Sequence, residues 1–217
     1  MNENSVLLSI TYLGPIHYFT KFLLYDKIWL ETHEHYSKQT YRNRCDIYSA
    51  NGKLSLSTPV LKGNERKTLI TDLKIDYNKK WQKLHLKGIE SAYRSSPFFE
   101  FYMDELSGFY SKKFEFLFDF NMEILSTLLH LLDLNPEIKY TEKYGLREED
   151  HMTDMRDSIH PKHPYQTDPH FLPVEYSQVF SEKHGFIANL SIIDLIFNMG
   201  PDSISVLRGG AYLESES

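Results

Sequence analysis

The sequence predicts an α/β fold, or the neighbouring α+β class, in which a small mixed sheet including a β-hairpin at 46–58 is packed by several helices. Three observations predict it. Near the N-terminus an apolar run (6–11), a Gly14-Pro15 turn, a helical stretch (18–24) and a second apolar run (27–31) follow in the order of an α/β unit. Asn51-Gly52 stands between two alternating runs, a strong hairpin signal because both residues tolerate positive φ. Beyond Trp81, apolar residues recur at helical spacing.

Residues 6–11 and 27–31 read as strands, and the Gly-Pro pair ends the first while opening a helix. In the hairpin a two-residue loop sets Ala50 against Lys53 and Ile47 against Leu56. Ile47, Leu54 and Leu56 then share the apolar face, and Asp46, Tyr48, Ser55 and Ser57 the other. Residues 69–75 read as a further strand. A helix at 81–93 follows the caps Asp76 and Asn78, and Ser96-Pro97 places a cap and a first-turn proline before a second at 98–109. Phe114, Leu117, Phe118, Leu125, Leu128, Leu129 and Leu132 mark the stripe of a long third helix that Asn135-Pro136 ends.

From 141 to 173 the pattern dissolves into charges, histidines and prolines, as in the runs at 147–150 and 160–164. A connection of that length is functional or disordered. Residues 189–199 read as a last helix closed by Gly200-Pro201. The expected organisation is an α/β core with a helical layer at 1–138, an irregular loop or lid at 139–175, and a C-terminal segment at 176–217 packing back on the core.

The chain of 217 residues, 41% hydrophobic, can bury a substantial core. A net charge of −6 argues against general attraction to a nucleic acid backbone. A single cysteine, Cys45, excludes an intramolecular disulfide and a four-thiolate zinc site, and fits a reducing compartment. The N-terminus lacks a basic start and a cleavage site, so a cytoplasmic location is expected. The apolar stretch at 114–134 is interrupted by acidic and polar residues, so no membrane span is expected.

Functional side chains are densest at 33–45, between a strand and the hairpin. If this block is extended, Tyr36, Lys38, Thr40, Arg42 and Arg44 project to one side, in phase with the polar face of the hairpin. Lysine and arginine there suit phosphate, pyrophosphate or carboxylate, because arginine offers a planar donor fork and lysine a mobile charge. A solvated face paired with neighbouring carboxylates would use the same residues. His33 and His35 form a possible metal pair, with His151, His160, His163 or His170 as further donors, but spacing names no third ligand and no metal is assigned. Cys45 reads as a small buried hydrophobe before a nucleophile, and His85 as a packing partner of Trp81 one helical turn away. His17 sits where a strand-to-helix turn could offer amides to an anion. Ser191 and Asp194 have the spacing of a capping-box variant, with Asn189 as an alternative cap. Serine-hydrolase, P-loop and dinucleotide-binding motifs are absent.

Tyr12-Leu-Gly-Pro-Ile-His-Tyr-Phe19, Tyr36-Ser-Lys-Gln-Thr-Tyr-Arg-Asn-Arg44, Trp81-Gln-Lys-Leu-His85 with Ser96-Pro-Phe-Phe99, and Phe186-Ile-Ala-Asn-Leu-Ser-Ile-Ile-Asp194 together resemble the WbqC-like family. Its members typically open with His-Gln-Pro, where this chain reads Thr11-Tyr-Leu-Gly-Pro15. The resemblance implies an association with surface-polysaccharide biosynthesis, with Lys38, Arg42, Asn43 and Arg44 matching the family's basic block. The function expected is group transfer on an anionic or nucleotide-activated sugar-type substrate. Tyr12, Tyr36, Lys38, Tyr41, Arg42, Asn43 and Arg44 would bind it, and His17 or His35 would carry the proton. Two other readings stand beside this one: a non-catalytic scaffold of an envelope-assembly pathway, and a nucleotidyltransferase built on His17 and Lys38. The partner expected is a small anionic molecule; cofactor and oligomeric state are left open.

Overall fold

In the computed structural model, residues 4–61, 68–145 and 152–212 are described. Strands β1 (Ser5–Ser9) and β2 (Lys27–Glu31) flank helix α1 (Ile16–Leu24) and pair in parallel, with Ser9 opposite Glu31. β5 (Glu137–Tyr140) adds in parallel outside β2, and β6 (Met152–Asp154) adds in parallel on the other side of β1, giving the order β5-β2-β1-β6. β1 is wholly buried, as its unbroken apolar centre requires in a sheet covered on both faces. α1 is buried along nearly its whole length, so its apolar residues point in every direction and its one lysine must find a partner inside.

Between β2 and β5 the chain inserts the hairpin of β3 (Arg44–Ser49) and β4 (Gly52–Ser57), then α2 (Trp81–Tyr93), α3 (Phe99–Ser107) and α4 (Leu117–Leu131). After β6 come the short α5 (Ser181–His184), α6 (Ile192–Met199) and α7 (Ser203–Gly210). α6 is buried along its length, Asp194 and Asn198 included, and packs on α1, α2, α3 and β3, joining the parallel sheet to the inserted half.

The α/β class holds, with the hairpin forming its own two-stranded sheet. Several expectations need correction. The hairpin pairs Ser49 with Gly52 and Ile47 with Leu54, a shift of two residues. The loop is Ala50-Asn51, and of the turn residues only Gly52 takes positive φ, at 90°. A shift of two preserves side-chain parity, so Ile47, Leu54 and Leu56 still share a face. Residues 69–75 form no strand: a 3-10 turn at Ile70–Asp72 is held by isolated bridges from Leu69 to His35 and from Lys74 to Phe116. β5 and β6, which complete the sheet, are not among the expected strands: Glu137–Tyr140 alternates over only four residues and Met152–Asp154 has three. α7 follows the helix expected to be last.

The side chains of the expected caps make other contacts, two local and one tertiary. Asp76 accepts the Asn78 amide in a local turn, Ser96 Oγ donates to the Tyr93 carbonyl, and Ser191 Oγ donates to the Leu13 carbonyl at 2.7 Å. Asp194 lies within the core, where Tyr93, Tyr176 and Gln178 donate to its carboxylate at 2.8, 2.6 and 2.9 Å. Burial outweighs those donors and raises its pKa. This carboxylate draws the 176–187 stretch onto α2 and α6.

Gly200 has a φ of 53°, and a Cβ there would meet the Phe98 ring at 2.5 Å. Gly200→Ala therefore combines a left-handed backbone with a clash against a packed ring, and is expected to cost about 2 kcal/mol or more. A urea midpoint that drops at unchanged slope is the expected reading, and an unmoved midpoint would contradict it.

Candidate functional site

The carboxyl ends of the parallel strands carry an unusual density of buried charge. Ser9 ends β1 and Glu31 ends β2 beside it, and both are buried. Glu34, three residues on, receives Arg42 in a two-pronged contact: Nε donates to Oε1 at 2.6 Å and Nη2 donates to Oε2. Nη2 also donates to Ser9 Oγ at 2.7 Å, and Ser9 Oγ donates to Glu34 Oε2 at 2.9 Å. Arg42 is only 6% exposed, so this triangle sets the plane of its guanidinium. No described residue accepts from Nη1. Asn121 of α4 donates to the Arg42 carbonyl at 2.7 Å, and Tyr41 accepts the Tyr12 amide, so the turn is clamped through its backbone as well.

Beside the triangle, Arg156 reaches from beyond β6 to Glu31 at 2.7 Å and grips Asp154 in a fork. Thr141, just after β5, donates to the other Glu31 oxygen at 2.8 Å. These contacts tie the ends of β6, β2 and β5 over the end of β1. The chain leaves β1 toward β2 but reaches β6 on the opposite side, so the strand order reverses between β1 and β6. In open α/β sheets ligands bind outside the carboxyl ends at such a reversal.

The block at 36–43 is a series of turns instead of a strand, so its side chains do not form the single cationic row expected of an extended run. Tyr36, Arg42 and Asn43 still converge: burial raises the Tyr36 hydroxyl pKa, while Asn43 and the Arg42 charge oppose. Lys38 is exposed and without a described partner, as is the side chain of His35. Arg44 points to the hairpin, pairing with Asp46 at 3.3 Å and Ser55 at 2.9 Å. Tyr41 is buried, and burial raises its pKa.

Tyr12 is wholly buried and is not brought to this edge. Its hydroxyl hydrogen-bonds with His85 Nδ1 at 2.8 Å and Tyr110 at 3.0 Å. His85 also meets the Trp81 indole edge-on, and burial lowers its pKa to about 4. Cys45 is buried, which pushes its thiol well above the ordinary range. A thiol reagent is expected to label Cys45 slowly in the folded chain and at once in urea; equal rates would place the sulfur at the surface.

His17 is turned elsewhere too. Its Nε2 lies 2.6 Å from Asp168 Oδ2, an oxygen that also takes the fully buried Lys21 one helical turn on. Its ring stacks on Phe171 at 4.6 Å. Burial lowers the His17 and Lys21 pKa values against the pull of Asp168. Burial would raise the Asp168 carboxyl, but His17, Lys21 and the His170 amide outweigh it and hold it far below the carboxylate range. The α1 N-terminus offers no amides to an anion, since Ile16 donates to the Leu190 carbonyl and His17 to Asn189 Oδ1, both at 2.9 Å. Sequence reasoning missed Ser9, Glu31, Glu34, Asp154, Arg156 and Asp168; the only signal was that several stand at strand ends.

A groove of about 570 Å³ runs between α4 and β5, lined among others by Met122, Leu125, Leu129, His130, Ile138 and Tyr140. It lies one strand beyond β2 and contains none of the buried ion pairs, so volume and chemistry point to different places. The chemistry is the better guide here, because buried charge is costly to assemble without use. Among the described residues no group of three or more histidine, cysteine or acidic side chains could hold a metal ion. His33 is half-buried and hydrogen-bonds through Nδ1 with Thr32 at 3.0 Å, and His151 lies outside the described residues.

The family model for the WbqC-like protein family matches residues 11–168, from the turn after β1 through Asp168. The chain belongs to the WbqC-like protein family. The matched span covers Glu31, Glu34, Arg42, Asp154, Arg156 and Asp168 of this chain and leaves out Ser9. No curated protein and no solved structure matches the chain. Among the described residues no helix is long and apolar enough to cross a membrane.

Proposed function

We propose that the protein is a cytoplasmic group-transfer enzyme acting on an anionic, nucleotide-activated sugar-type substrate in surface-polysaccharide biosynthesis. One observation carries the reading: Arg42 is immobilised by Glu34 and Ser9 at the carboxyl edge of a parallel sheet, with Nη1 left without a described protein partner. A guanidinium fixed in advance loses little freedom when it takes an oxyanion, which is how a preorganised site gains affinity. Lys38 adds a mobile charge, Tyr36 and Asn43 orient the bound group, and His35 is the exposed proton carrier on the same segment. His17 stays committed to Asp168 and Tyr12 to His85, so neither takes part. The surface-polysaccharide setting comes from family membership.

A second reading, a non-catalytic binding protein of an envelope-assembly pathway, is favoured by the pairing of the arginines: Arg42 with Glu34, Arg44 with Asp46, and Arg156 with Glu31 and Asp154. The two readings separate in one experiment on the purified chain. A panel of nucleotide sugars is screened by thermal shift and then for turnover, with Arg42→Lys alongside, which keeps a positive charge for Glu34 but lacks the fork. The proposal expects saturating ligand to stabilise the parent by about 2–3 kcal/mol, much less stabilisation of the variant, and turnover by the parent alone. Binding without turnover supports the second reading; equal ligand shifts in parent and variant would remove Arg42 from the site.

A further inference from the structure

We propose that His160 is a second substrate-binding residue, which with Arg42 grips the phosphate oxygens of a pyrophosphate-linked substrate between the ends of β1 and β6. This rests on the reading of that edge as the substrate site and adds the group it takes hold of.

The backbone carries His160 there. The Met155 amide donates to the Leu7 carbonyl of β1 at 2.9 Å, extending the ladder past β6, and the Ile159 amide donates to the Met155 carbonyl at 3.2 Å, turning the chain just beyond that strand. Ile159 is buried, which anchors the turn one residue before His160. Arg156 fixes the near end of this stretch through Glu31 and Asp154, and Asp168 fixes its far end through His17 and Lys21. His160 is therefore presented from a segment pinned at both ends.

The imidazole is set up as a donor. The Lys162 amide donates to His160 Nδ1 at 3.1 Å, so in the neutral ring the proton resides on Nε2. No described residue accepts that hydrogen, as none accepts from Arg42 Nη1. Two unanswered donors thus come from the connection after β2, held to the end of β1 through Ser9, and from the stretch after β6. Further basic side chains stand around the imidazole. The His163 ring lies 4.8 Å away with its Nδ1 donating to the Asp157 carbonyl at 2.6 Å, and Lys162 is exposed. Burial first, then His163, Arg42 and Lys162, lower the His160 pKa, with Asp157 the one opposing group. Arg42 is thus near enough for its charge to be felt at the ring. Arg42 spends Nε and Nη2 on Glu34 and Ser9, so the hydrogens left for a bound diphosphate to accept are those on Arg42 Nη1 and on His160 Nε2.

Titration calorimetry with inorganic pyrophosphate on the full chain tests this, comparing the parent with His160→Ala, His160→Gln and Arg42→Lys. Glutamine can place an amide hydrogen near the position of Nε2–H. The expected result is a Kd raised about tenfold or more in His160→Ala, largely recovered in His160→Gln, and raised in Arg42→Lys. Unchanged binding in both His160 variants with weakened binding in Arg42→Lys would overturn the role of His160 and leave the substrate-site reading standing. Binding indifferent to all three substitutions, or no binding to the parent, would overturn both.

Discussion

Glu34→Ala is expected to destabilise the folded chain by roughly 3–5 kcal/mol, because it strands a buried guanidinium whose only other side-chain partner among the described residues is Ser9. For a domain of this size that corresponds to a midpoint lowered by about 6 °C or more. The loss belongs to the orphaned charge and not to the pair as such. Replacing both members by apolar residues of similar volume, as in Glu34→Leu with Arg42→Met, is expected to recover most of the stability while abolishing anion binding. Denaturant titration of the three proteins checks both halves. A Glu34→Ala cost below about 1 kcal/mol would mean that water reaches Arg42 and that the guanidinium is not held as described.

Acid is expected to expose a second weak point, at His85. Its folded pKa of about 4 lies below the value near 6.5 of an unfolded histidine. Between those values the unfolded chain binds a proton that the folded chain refuses, so stability rises with pH and is lost as pH falls from about 6.5 toward 4. The loss between pH 7 and pH 4.5 is roughly 2 kcal/mol from this group alone. His85→Gln, which can still accept from Tyr12, is expected to be less acid-sensitive than the parent by that amount when urea midpoints are compared at the two pH values. The carboxylates contribute equally to both proteins, so the difference isolates the imidazole. Identical pH profiles would show that His85 is protonated, or solvated, in the folded state.

How much of this was legible beforehand differs by element. α1, α2 and β2 could be read nearly to the residue, because their apolar spacing and flanking turns are local properties. β5 and β6 were not read, since Glu137–Tyr140 and Met152–Asp154 are partly exposed and only four and three residues long; they are strands because β2 and β1 offer them a free edge. Arg42 was legible as chemistry but not as geometry. Its charge and its neighbours Tyr36 and Asn43 are written in one block, whereas Ser9 lies thirty-three positions away and looks like any strand residue.

Residue types and local periods determined the α/β class, the hairpin, the helical layer and the segment densest in basic and polar side chains, because hydrophobic patterning and turn chemistry act over a few residues. Only the tertiary structure decided which charges are spoken for. Arg44 goes to Asp46, His17 and Lys21 to Asp168, and Arg42 to Glu34 with one edge left over. Partners for buried charge are chosen by proximity in space at low dielectric, and proximity across more than a hundred positions, as between Lys21 and Asp168, leaves no mark on the local sequence.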